Sequence, residues 1–351
     1  KELFHDNINV INKIEMKKLL ILENRNSIVT INLEGGAYTD FHLKENSLNP
    51  ISWEQEETSQ SSLRGHFLCF DRWGPPSEGE QKNGFKHHGE VNDLVWDLLK
   101  NPEKTGNNLE TSMSCVLPMG GLQLTRDIQL LDDQPLIKVT ERIKNLNKFG
   151  RIFNIVQHVT IAPPFLNCNT LIDNNTEKGF ENKEDGTLNQ EEPVLYWPEV
   201  THQNQKISLR QFQNEWPRVC SFKFRDDDKL GWTTACNIEN NLMLGYVWKT
   251  QDYPWVNYWR SMNNGTPLAF GIEFGTTGLH EPLPIVAKKS SIFGCNIYDF
   301  IDANEEINKS FIAFLAAIPS DYQGVKEIIW NNSELIIIEN SDVLRNIVFK
   351  I

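Results

Sequence analysis

The chain has 351 residues, 39% of them hydrophobic, and a formal net charge of −13. Such acidity argues against nucleic acid, whose phosphates need clustered Lys and Arg, and against anionic membrane surfaces. No apolar run approaches the roughly 20 residues of a membrane-spanning helix, and the composition favours a neutral or cationic small molecule as partner, or no ligand at all.

In chain order, the start KELFHDNINVINKIEMKKLL lacks the long apolar core of a secretory signal, which favours the cytoplasm; the first residue is Lys1 rather than Met, so the compartment stays open. The stretch 8–22 fits a helix or a strand equally. SIVTINLEGG (27–36) is the first clear strand with a turn behind it. VNDLVWDLLK (91–100) puts Val91, Leu94, Val95 and Leu98 on one helical face, although a short apolar run also fits a strand. PLIKVTERIKNL (135–146), FNIVQHVTI (153–161), PLAFGIEF (267–274), KSFIAFLAAI (309–318) and SELIIIEN (333–340) are β-rich runs bounded by turn residues. The unbroken apolar run in SELIIIEN suits a central strand covered on both faces. Residues 169–215 are polar and aperiodic, a long surface excursion with a short strand near Leu195 and Tyr196. Asp226, Asp227 and Asp228 fit a turn between strands and lack the calcium-loop pattern of an EF-hand. No repeat or linker interrupts the chain, so one all-β domain over residues 1–351, with antiparallel sheets packed face to face, is expected. Six cysteines (69, 115, 168, 220, 236, 295) form no C-x-x-C pair and are expected as buried free thiols.

Four stretches concentrate polar residues on strand-like or turn-like backbone. The first, 62–80, offers Arg64, His66, Asp71, Arg72 and Trp73; the second is GFKHHGEV (84–91); the third carries His158 inside 154–173; the fourth, 268–282, carries Glu273. On a strand, Glu273 shares a face with Gly271 and Ala269, which leaves space beside its carboxylate. The alternative is a solvent-facing glutamate. His158 shares a face with Asn154, Val156 and Thr160, and a lone strand histidine is more often structural unless it has a partner acid or base. For His87 and His88, adjacent strand residues point to opposite faces, which argues against one metal taking both, and no H-x-H or H-E-x-x-H pattern occurs. No metal and no cofactor is expected; Ser-based catalysis finds no G-x-S-x-G elbow, and there is no G-x-G-x-x-G turn or P-loop to cradle a phosphate. Ten tryptophans, several in 196–200 and 252–261, offer flat surfaces for sugar C–H faces, with core packing as the alternative.

In their order along the chain, these stretches resemble the galactose mutarotase-like superfamily, the aldose 1-epimerases and their relatives. SIVTINLEGGAYTDFHLKENSLNPISW (27–53) is similar to the family's opening strands. RGHFLCFDRWGPP (64–76) resembles its arginine-bearing loop, HHGEV with Trp96 its "HG" segment, QHVTIAPPFL (157–166) its second-histidine segment, and GIEF (271–274) the strand of its catalytic glutamate. The resemblance implies a β-supersandwich and a strand in VNDLVWDLL. It also implies a sugar as substrate, with Glu273 as general base on the anomeric hydroxyl, His158 as general acid on the ring oxygen, His88 holding the sugar, and Arg64 or Arg72 binding further hydroxyls. His87 is then expected to point away, and Glu90 to stand behind His88. Val159–Thr160 after the second histidine and FGTTGLHEP after the glutamate depart from the family pattern. A hydrolase or lyase relative and a non-catalytic sugar-binding protein are the rival readings; oligomeric state is open.

Overall fold

The computed structural model describes residues 19–55, 63–183, 191–202, 204–212, 218–331, 333–342 and 345–351. Among them, two large antiparallel sheets dominate. The first has ten strands in the order Leu19–Glu23, Ser27–Asn32, Tyr38–Leu43, His66–Phe70, Ile155–Ile161, Thr266–Gly275, Trp255–Asn263, Val219–Lys223, Lys178–Glu181, Leu195–Tyr196. The second has eight: Leu171–Asn174, Leu230–Asn237, Leu242–Lys249, Glu306–Ala317, Leu136–Asn145, Leu122–Leu131, Asn108–Leu117, Asp97–Thr105. This is the all-β supersandwich. One apolar cluster runs between the sheets from Leu20 to Leu315. Its centre is aromatic: Phe274 of the first sheet stacks on Trp248 of the second at 4.1 Å and 8°.

A buried polar seam crosses this core. Arg126 and Glu141, 1% and 0% exposed, pair at 2.8 Å, with the Arg126 guanidinium against the rings of Tyr38 and Trp96. Gln157 Nε2 donates to Glu141 at 2.7 Å, and its Oε1 meets His66 Nε2 at 3.0 Å. Every charge here has a partner, as burial demands. His66, grouped by sequence with the polar candidates, is therefore a core residue.

Several elements differ from the sequence expectation. Residues 91–93 form a single 3₁₀ turn, and the strand begins only at Asp97. The end of stretch 8–22 enters the strand Leu19–Glu23, while residues 8–18 lie outside the described residues. Glu334–Glu339 is central in a three-stranded sheet but buries alternate residues only; that small sheet lies on the outer face of the eight-stranded one, where Ile337 joins Trp232, Met243 and Phe314. The excursion 169–215 contributes strands to the edges of both large sheets. Among the cysteines, all free, Cys69, Cys115, Cys220 and Cys236 are buried as expected, but Cys168 is exposed and Cys295 half-buried.

Candidate active site

The strand Ile155–Ile161 runs between His66–Phe70 and Thr266–Gly275 in the middle of the ten-stranded sheet. Gln157 pairs with Phe274, which sets His158 beside Glu273 on the neighbouring strand. Phe274 and Gln157 face the inter-sheet core, so the period-2 pleat turns Glu273 and His158 the other way. There they enter a cleft of about 920 Å³ whose walls include Trp53, Trp73, His88, Trp259 and His280. The loop from Asp71 to Gly89 covers one side. Its ends are pinched together: His88 N–H donates to Gly74 O at 3.1 Å, and Gly74 N–H donates to His88 Nδ1 at 3.3 Å. The short helix Glu78–Lys82 within it starts with a capping box between Ser77 and Glu80.

Glu273 is 1% exposed. Trp73 Nε1 donates to its Oε2 at 2.9 Å, and its Oε1 lies 3.0 Å from His158 Nε2. The space at Gly271 serves this carboxylate, because a Cβ there would stand 2.7 Å from Glu273 Oε1. His158 stacks on Phe67 at 4.1 Å, and its Nδ1 is 3.1 Å from the Thr160 hydroxyl. Burial pushes the Glu273 carboxyl well above the usual carboxylate range, offset in part by the Trp73 bond. Burial also holds His158 well below the usual imidazole range, and the neighbouring His280 and His87 add to this. Both shifts favour the neutral form of the pair, a protonated carboxyl against an unprotonated imidazole. That state holds the same single proton as a carboxylate beside an imidazolium. The two differ only in where the proton sits, and polar groups entering the cleft favour the charged form.

His88 lies at the floor of the loop, 7% exposed, with its ring 5.2 Å from that of His158. Its backbone is left-handed (φ 64°) and is followed by Gly89 at φ 86°, where a Cβ would come within 2.5 Å of Phe70 O. Burial, with His87, His158 and His280 nearby, keeps its pKa well below the ordinary value.

The structure thus brings together Glu273, His158 and His88. It does not bring in the two arginines. Arg64 is half-buried, its backbone forming an isolated antiparallel β-bridge with that of Glu54 next to the wall residue Leu63, and it does not line the cleft. Arg72 is buried behind the loop, paired with Asp71 at 3.0 Å and Glu80 at 2.7 Å; its charge holds the loop instead of facing the cleft. His87 also differs from expectation: it lines the cleft, with its ring 3.9 Å from that of His88. The opposite-face rule applies to strands, and this pair lies in a turn. Glu90 accepts from Met119 and Gly120 N–H groups (2.8 Å to Gly120) and has that loop as its partner. The sequence reading missed Trp73 and His280 as cleft residues. Both lay inside stretches already marked as polar, but in loops, where no periodicity assigns a direction.

No family model and no curated protein matches the chain. Solved structures do. A galactose mutarotase related enzyme from Lactobacillus acidophilus superposes with a TM-score of 0.62 at 14% identity, over 88% of this chain and 100% of its own. A galactose mutarotase-like protein from Clostridium acetobutylicum gives 0.62 at 12% identity, over 85% and 95%. A galactose mutarotase-like protein from Lactobacillus casei gives 0.59 at 12%, over 85% and 100%. At these identities the likeness is one of fold, and it establishes the galactose mutarotase-like fold for nearly the whole chain.

Proposed function

We propose that this protein is an aldose 1-epimerase-like isomerase that interconverts sugar anomers. The observation that carries the proposal is the Glu273–His158 pair, bonded at 3.0 Å at the bottom of an aromatic-walled cleft. Opening a pyranose requires a proton taken from the anomeric hydroxyl and a proton given to the ring oxygen. A carboxylate and an imidazolium that together hold one proton supply both operations without exchange with solvent. In this scheme the sugar lays its anomeric hydroxyl and its ring oxygen, both borne by C1, against the two groups. Its hydroxyls stabilise the charged form of the pair, Glu273 takes the hydroxyl proton and His158 delivers its own to the ring oxygen. The C1–C2 bond of the open chain rotates, and closure in reverse gives the other anomer. Trp73 holds the carboxylate in place, His88 faces the sugar from the floor, and Trp53 and Trp259 offer ring faces to its C–H surface. A glycosidase mechanism fits less well. It needs two carboxyl groups about 5–10 Å apart, and among the described residues Glu273 is the only acid lining the cleft.

The test is anomer exchange followed by NMR or polarimetry on glucose, galactose, xylose and their 6-phosphates, with Glu273→Gln beside the wild type. Loss of the base should lower the catalysed rate by ~10²–10⁴-fold. Equal rates for wild type and variant on every sugar would rule the mechanism out.

A further inference from the structure

Three histidines meet on the wall of the cleft from two separate segments. His87 and His88 come from the pinched loop; His280 comes from the segment that follows the strand Thr266–Gly275. Each can offer one ring nitrogen such that the three nitrogens lie within 4.8 Å of one another. The two segments are fitted to each other. A Cβ at Gly74 would meet the His280 ring at 3.1 Å, and Trp73 sets its ring edge-on to His280 at 4.8 Å. The left-handed backbone of His88 is what turns its ring onto that of His87. Such a conformation costs of order 1 kcal/mol in a residue other than glycine, and it concentrates at functional sites.

We propose that His87, His88 and His280 form a binding site for one divalent transition-metal ion of the zinc class, open on its cleft side. Three imidazoles are a borderline donor set that suits Zn²⁺, Co²⁺, Ni²⁺ or Cu²⁺ and not Mg²⁺ or Ca²⁺, which require oxygen ligands. Zinc–nitrogen bonds of about 2.0–2.1 Å in tetrahedral array place the nitrogens roughly 3.4 Å apart, so the rings close in by up to about 1.4 Å. His87 is the exposed member of the three. His88 gives up the long bond that its Nδ1 accepts from Gly74 N–H, whichever nitrogen binds. Three protein ligands leave a fourth position for water or a hydroxyl. All three histidines line the cleft, and the His88 ring is 5.2 Å from that of His158, so a bound ion would lie beside the acid–base pair.

The experiment is made on the full chain, stripped with chelator and titrated with ZnCl₂ by calorimetry in the absence of sugar, with bound metal counted by elemental analysis. Metal binding is read without turnover, so its failure is distinguishable from failure of the isomerase proposal. One Zn²⁺ per chain is expected. His280→Ala and His88→Ala should each weaken binding by more than the ~10–100-fold that accompanies loss of an outer-shell partner; His42→Ala, remote and paired with Asp40, should not. Co²⁺ should give the intense visible bands of a four-coordinate ion in the wild type and lose them in His280→Ala. His280 is the less buried of these two targets, so its replacement keeps the test readable if His88→Ala fails to fold. Absence of stoichiometric Zn²⁺ binding by the wild type, or binding unchanged in His280→Ala, overturns the proposal.

Discussion

Gly271→Ala separates the carboxylate's position from the fold. The added methyl would stand 2.7 Å from Glu273 Oε1 and 3.4 Å from Trp259 Cβ. The second contact is near-ordinary; the first is not, and the carboxyl must retreat by roughly 0.5–1 Å to reach normal separation. Glu273 has no slack for this, being 1% exposed and bonded to both Trp73 and His158. Two hydrogen bonds lengthen or break, each contributing about 0.5–1.5 kcal/mol. The smaller freedom of alanine in the unfolded chain returns about 0.4–1 kcal/mol. The net loss of stability is about 1–2 kcal/mol, a fall in Tm of a few degrees and well short of unfolding. The effect on turnover is larger, because a misplacement of about 1 Å can cost ~10²-fold. Circular dichroism melting and NMR anomer exchange on one preparation should therefore diverge: a nearly intact fold and a rate down by about two orders of magnitude. A variant that retains the wild-type rate would show that the carboxylate's position is immaterial to turnover, and the assignment of Glu273 would fail with it.

Trp73→Phe keeps the ring and removes the indole N–H that bonds Glu273 Oε2. That bond favours the ionised carboxylate, so its loss raises the pKa further and moves the acid limb of the pH–rate profile to higher pH. A decrease of about 10-fold near neutrality corresponds to about 1.4 kcal/mol; an unshifted profile would mean that Trp73 only packs. Acid stability tests the polar seam. Burial and the nearby Arg126 lower the His66 pKa to about 3 from 6.5, against the opposing bond from Gln157, and Tyr246 closes its other side. Between those two pH values the unfolded chain binds the extra proton, so stability should fall as pH drops from 6.5 towards 3, by up to about 1.4 kcal/mol per pH unit from this group. Urea unfolding at pH 7.5, 6 and 5 should give that slope, and His66→Asn should flatten it; an identical slope in the variant would contradict the burial argument.

What the sequence made legible follows from strand geometry. Glu273 and His158 lie on strands, and alternation assigns each a face: Phe274 and Gln157 inward, their neighbours to the cleft. The same logic placed the strands Leu136–Asn145 and Glu306–Ala317. It misjudged Glu334–Glu339, because four consecutive apolar residues look the same whether the second face meets a layer or only partial cover. Charge was less informative. Arg72 looks like a ligand in the sequence, yet its guanidinium is occupied by Asp71 and Glu80. Arg151 adds a second ion pair to Asp71, at 2.5 Å. These pairs hold the loop that carries Trp73 and His88. A sequence displays charges and conceals their pairings, which depend on residues far apart in the chain.

The loop residues were the hardest to read, and the reason is specific. On a strand the direction of a side chain follows from its parity; in the turn at His87–His88 it follows from φ. A single left-handed residue at His88 brings two neighbouring rings to 3.9 Å, where strand parity would have sent them to opposite faces. Glycine, asparagine and aspartate announce such backbone, and here Gly89 marks only the second of the two left-handed positions. The cleft is thus assembled from two kinds of information: strand parity sets the acid–base pair, and a turn sets His87 and His88 beside it. A change in the loop that preserves Trp73 and the Gly74–His88 pinch should therefore alter what the cleft recognises while leaving Glu273 and His158 in register, because the register rests on the pairing of Gln157 with Phe274 in the sheet.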